Sequence, residues 1–161
     1  MNILRKSLQI LGRRKSLRFG VRDRLIRFFD HPDSGREEAF EIEFFGRSYP
    51  GNFNTFIDWS TFYFGCYSEH EMCLLEDILT ILQDAVILDV GANIGHHSLF
   101  FSNHSKQVYS FEPYSPVAAK LLEKIKNNKL ENIILLEVGL GQLDQTIEFY
   151  PPATSNTGTG S

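Results

Sequence analysis

The chain predicts an α/β fold, a parallel sheet with helices on both faces, and three observations lead there. Short apolar, β-branched runs alternate with amphipathic helical stretches from residue 69 onward. A small-residue turn, Gly91-Ala92-Asn93-Ile94-Gly95, follows the first run at once. The second run then closes on a carboxylate, Glu112. Strand–helix alternation of this kind implies right-handed crossovers between parallel strands, with ligands at the carboxyl edge of the sheet.

Taken in order, Met1–Arg27 is a basic arm, with nine Lys/Arg against one acid, Asp23. It reads either as a solvated basic helix or frayed terminus, or as a membrane-surface or anion-binding arm. His31-Pro32-Asp33-Ser34-Gly35 is a turn cluster and a boundary. Phe40, Ile42 and Phe44 alternate with Glu41 and Glu43, a half-buried strand; Gly46-Arg47 turns it toward a second strand near Ser48–Tyr49. Phe53–Phe64 is aromatic, and Trp59, Phe62 and Tyr63 either wall a pocket or pack in the core. Ser68 and Glu71 form a capping box ahead of Met72, Leu75, Leu79 and Leu82, which predicts a helix over Glu69–Gln83. Val86–Val90 is short enough for a strand buried on both faces. Gln107–Phe111 is the second core strand. Ser115 caps the next helix, Pro116 suits its first turn, and Val117, Leu121 and Ile125 make its apolar face. Lys124, Lys126 and Lys129 complement the dipole at its far end, where Asn127-Asn128 stops it. Ile133–Val138 is a third buried strand, and Thr146–Tyr150 a fourth. The division is residues 1–35, the basic arm; 36–84, N-terminal strands and lead-in helix; and 85–161, the nucleoside-binding half.

The totals set limits. With 161 residues, 42% of them hydrophobic and 13% aromatic, one domain can bury a real core. A net charge of −4 argues against nucleic acid as a global partner. No stretch has the length of a membrane span and no signal-peptide pattern is seen, which predicts a cytoplasmic protein. Cys66 and Cys73 match no metal or redox spacing and read as two buried, reduced thiols. His96 and His97 are adjacent on a helix and His104 lies two turns on, which disfavours a metal site and predicts neutral helix-start or surface histidines.

The candidate site lies at the carboxyl edge. Small residues at 91–95 let backbone N–H groups approach a ligand, and a carboxylate about twenty residues on suits ribose hydroxyls. A dinucleotide would want G-x-G-x-x-G, yet Asn93 and His96 occupy the second and third glycine positions. S-adenosylmethionine carries no phosphate and asks less of the turn. The bland alternative is that Asp89 caps the turn and Glu112 is a solvated strand end.

On ILDVGANIGHHSLF, VYSFEPYSPVAAKLLEKIKNN, NIILLEVGLGQLDQTIEFY and the lead-in FIDWSTFYFGCYSEHE, the chain resembles the FkbM family of AdoMet-dependent methyltransferases. The resemblance covers roughly Phe56 to the C-terminus. It implies a Rossmann-like methyltransferase fold with S-adenosylmethionine as cofactor. Gly91, Ala92, Asn93 and Gly95 would line its methionine end, Asp89 would orient the turn or receive the amino group through water, and Glu112, followed by Pro113, would hold the ribose. Gly139 and Leu140 would lie near adenine, with Gln142 and Asp144 farther along. It also implies O-methylation of a small-molecule or glycan acceptor, such as a sugar or natural-product hydroxyl, with no nucleic acid involved. The family's later acidic segment on the acceptor side has no counterpart before Ser161. The sequence therefore suggests a truncated chain with Val86–Val90 as an exposed edge, and no catalytic base is assigned.

Overall fold

The computed structural model describes residues 3–34, 36–143, 145, 146 and 148. Two helices open the chain, α1 (Ile3–Gly12) and α2 (Phe19–Phe29). A hairpin follows, β1 (Ala39–Phe44) and β2 (Arg47–Asn52), then α3 (Phe56–Phe64) and α4 (Glu69–Ile81). The alternating part is β3 (Val86–Val90), α5 (His96–Phe101), β4 (Gln107–Phe111), α6 (Ser115–Asn127) and β5 (Ile133–Leu136). Its three strands pair in parallel in the order β3-β4-β5. The expected α/β class is therefore observed.

The basic arm is helical and half-docked: six of its nine cations, Lys6, Arg13, Arg14, Lys15, Arg18 and Arg24, stay exposed. Leu8 and Ile26 enter a core with Phe53, Trp59, Phe62 and Tyr63. Gly12 lets α1 close on α3, because a Cβ there would sit 2.3 Å from the Tyr63 carbonyl oxygen. Two of the less exposed cations are paired within the chain: Arg5 bridges Asp30 and Glu38 and lies over the Phe53 ring, while Arg27 pairs with Asp23 and covers Trp59. Asp30, buried, also accepts from the Tyr63 hydroxyl at 2.6 Å and from Arg36 at 3.0 Å. Trp59, Phe62 and Tyr63 are thus core residues.

The hairpin turns at Phe45-Gly46, both at positive φ (48° and 77°), one residue earlier than the sequence suggested. A two-residue turn of this kind matches the twist of its strands. The hairpin forms its own sheet and docks through two asparagines. Asn103 reaches Arg47 and the Phe45 carbonyl, and Asn128 brackets Ser48 by its N–H and C=O.

Several local expectations change. Ser68 sits at φ 56° and makes no side-chain cap, so the capping box does not form, and α4 ends at Ile81. Its inward face keeps Met72 and Leu79, whereas Leu82 is exposed. Tyr114, not Ser115, is the residue before α6, and no side chain caps it. Lys124 does not sit at the helix end in water. It is buried with its ammonium 4.5 Å from the Tyr49 ring centroid, and burial lowers its pKa. Cys66 is buried but Cys73 is exposed; both are free.

Coverage of the sheet is one-sided among the described residues. Val108, Ser110 and Ile133 are buried on one face. On the other, Val86, Leu88 and Val90 are 59%, 61% and 60% exposed, which corrects the expectation of a strand buried on both faces. Successive right-handed crossovers in the order β3-β4-β5 deliver α5 and α6 to the same side, which accounts for the asymmetry. β3 is an edge strand among the described residues, as anticipated. β5 stops at Leu136 rather than Val138. The strand expected over Thr146–Tyr150 falls largely outside the described residues, as does Asp144.

Candidate cofactor site

The carboxyl ends of β3 and β4 hold the predicted residues together. Gly91 leaves β3 at φ 77° with open space where a Cβ would be, so its face of the turn is bare. Asn93 is also left-handed, at φ 51°. Gly95 has φ 83°, and a Cβ there would lie 2.3 Å from Leu121 Cδ1. Gly91 thus borders open space, whereas Gly95 lets the turn pack on α6.

The turn uses all five of its backbone N–H groups within the chain. Gly91 and Ala92 both give their N–H to the Phe111 carbonyl, at 3.0 and 2.9 Å. Asn93 gives its N–H to Glu112 Oε2 at 2.9 Å, Ile94 to the Asn93 side-chain oxygen at 2.7 Å, and Gly95 to the Ala92 carbonyl at 2.9 Å. The expectation that these N–H groups reach out to a ligand is therefore wrong. The turn is no anion cradle of the kind a pyrophosphate uses.

Glu112 is no solvated strand end. It is 8% exposed, and its second oxygen accepts the Tyr114 N–H at 2.9 Å, so one carboxylate ties the glycine turn to the start of α6. Asp89 does not cap the turn either. Its carboxylate accepts from Ser98 Oγ in α5, which lies 2.8 Å from Ser110 Oγ in β4. Burial pushes the Asp89 pKa up, and the Ser98 hydrogen bond opposes this. Gly139 lies against Pro113, its would-be Cβ 3.8 Å away, while Leu140 stands exposed beside it. Ser98 and Ser110 were not legible as site residues; the one available signal is a serine on the sheet-facing side of α5 and another on β4.

His96 is the neutral helix-start histidine expected, the first residue of α5, and it is buried rather than on the surface. Its Nε2 accepts the Tyr67 N–H at 3.0 Å, and burial holds its pKa well below the usual imidazole value, so it is neutral. It joins the turn to the segment between α3 and α4. His97 Nε2 lies 3.9 Å from Glu71 Oε1.

No family model matches the chain. Over 86 residues it is 31% identical to the AMB antimetabolite synthetase AmbE of Pseudomonas aeruginosa, a match spanning 51% of this chain and 4% of that protein. The fold is similar to the SAM-dependent methyltransferase from Agrobacterium tumefaciens (TM-score 0.49, 15% identity, 66% of this chain and 34% of that one). It is also similar to the complex of aTrm5 with tRNALeu (TM-score 0.48, 20% identity, 68% and 30%). The chain thus spans about a third of either structure and a small part of the curated relative. A tRNA complex among the similar structures overturns the expectation of a small-molecule or glycan acceptor with no nucleic acid. Among the described residues no helix is long and apolar enough to cross a membrane.

Proposed function

We propose that residues 85–140 bind S-adenosylmethionine and that the chain contributes the cofactor half of a methyltransferase, of FkbM type on the motifs quoted above. The observation that carries this reading is the donor count at the glycine turn: five N–H groups, all satisfied within the chain, beside two carboxylates. Such an edge repels a pyrophosphate and suits a ligand with an ammonium, a sulfonium and ribose hydroxyls. Asp89 and the carbonyls of the turn face the cationic methionine end, Glu112 the ribose, and Pro113, Gly139 and Leu140 the adenine. Held there, S-adenosylmethionine would supply a methyl group for in-line transfer to an acceptor nucleophile, with S-adenosylhomocysteine and the acceptor's proton as the other products. The chain's part is proximity and orientation.

Calorimetric titration with S-adenosylhomocysteine, with NADH as control, tests the reading. Saturable binding of the first and none of the second is expected; the reverse preference would overturn it. Glu112→Ala should weaken S-adenosylhomocysteine by about 1–3 kcal/mol, the cost of unpaired hydrogen-bonding groups, and an unchanged affinity would remove Glu112 from the ribose site.

A further inference from the structure

We propose that the cavity between α2, the end of α3 and the start of α4 binds a nucleotide, with the phosphate on Arg18 and Arg22 and the base on Phe19 and Phe64. The cavity holds about 740 Å³ and all four residues line it. Arg22 is the telling side chain. It is 5% exposed, it has no carboxylate partner among the described residues, and its Nε has no acceptor. Its one hydrogen bond goes from Nη1 to the Gly12 carbonyl, and its guanidinium carbon is 5.7 Å from the Phe19 ring centroid. Burying a guanidinium without a counter-charge is costly, and an anionic ligand relieves that cost.

The other charges of the wall do not supply the missing anion. Glu69 is paired with Lys15 at 2.7 Å, and Glu71 lies 3.9 Å from His97 Nε2. Arg18, exposed on the rim, likewise has no acidic partner among the described residues, so the cavity is lined by two guanidinium groups without carboxylates, the groups on which a phosphate takes forked hydrogen bonds. Beside them the rings of Phe19 and Phe64 have centroids 5.0 Å apart, and Phe19 is half exposed. An aromatic platform next to an unpaired guanidinium is the recognition chemistry of a nucleotide. Tyr67, also on the wall, gives its N–H to the His96 side chain, so one hydrogen bond ties the cavity wall to the residue that follows the glycine turn. Binding stands on the cavity alone; its role as the acceptor side rests on the methyl-transfer reading.

The test is calorimetric titration of the full chain with adenosine 5′-monophosphate, repeated in the presence of excess S-adenosylhomocysteine. Saturable binding that persists in the second titration is expected. Adenosine without its phosphate should bind about tenfold more weakly, as should the monophosphate to Arg18→Gln. Phe19→Ser should cost about fivefold or more. Both substitutions are at exposed positions and should leave S-adenosylhomocysteine affinity unchanged. No binding at millimolar monophosphate, displacement by S-adenosylhomocysteine, or indifference to both substitutions would overturn the proposal. A chain that binds the monophosphate but not S-adenosylhomocysteine upholds the cavity and rejects the methyl-transfer reading; the opposite result rejects the cavity alone. A single-stranded tetra-adenylate binding at least tenfold tighter than the monophosphate would uphold the site with an RNA strand as source, and equal affinity would uphold it with the free nucleotide.

Discussion

The helices around α3 and the parallel sheet are both rich in apolar residues, and they bury them differently. In the first region Trp59 is 1% exposed, stacked on Phe56 and hydrogen-bonded to the Asp30 carbonyl, with α1 and the hairpin closed over the cluster. In the second, alternate residues of β3 stand about 60% exposed on a face that no described element covers. The difference is one of coverage rather than composition. An apolar side chain contributes stability only to the extent that other atoms replace its water.

Substitutions in the two regions should therefore differ most. Trp59→Ala should cost about 4 kcal/mol through the cavity it leaves, whereas Leu88→Thr should stay within about 0.5 kcal/mol. Urea midpoints measure both, and a large loss at Leu88 would mean that the open face is covered in solution. Within the glycine turn a smaller contrast is expected. Gly95→Ala should cost about 3 kcal/mol, from left-handed strain plus overlap with Leu121. Gly91→Ala should cost about 1 kcal/mol, from the strain alone. Equal losses would show that Leu121 yields to a methyl group.

The smallest effect concerns pH. The His96 imidazole is held neutral in the fold, with a pKa below the unfolded value of 6.5. As pH falls through 6.5 the unfolded chain binds a proton that the folded chain refuses, so stability is lost on the acid side. The His96 ring resonances should stay still between pH 8 and 5.5 while the urea midpoint falls. A ring that titrates near 6.5 in the folded protein would remove His96 from this account.

Much of the alternating half was legible because its signals are local. A β-branched run, a small-residue turn and Pro116 one residue inside a helix constrain backbone directly, and β3, β4 and α6 fall at the expected positions. For the candidate site, the sequence placed Asp89, residues 91–95 and Glu112 at one edge of the sheet but did not show their bonds. Glu112 and Asn93 are nineteen positions apart, and only the parallel pairing of β3 with β4 brings carboxylate and N–H together. The capping box at Ser68 failed for a related reason: His96 takes the Tyr67 N–H, and Ser68 follows with left-handed backbone and no cap bond.

By itself the sequence determined the order of strands and helices, the glycine turn and the carboxylate that follows it, because each rests on conformational preferences of a few neighbouring residues. Tertiary structure decided where the charges went. Arg5, Arg22 and Lys124 look alike in sequence as surface cations, yet one is paired with two carboxylates, one is buried without any, and one lies over a tyrosine ring. Burial of a charge depends on what distant segments bring to it, and no local pattern records that.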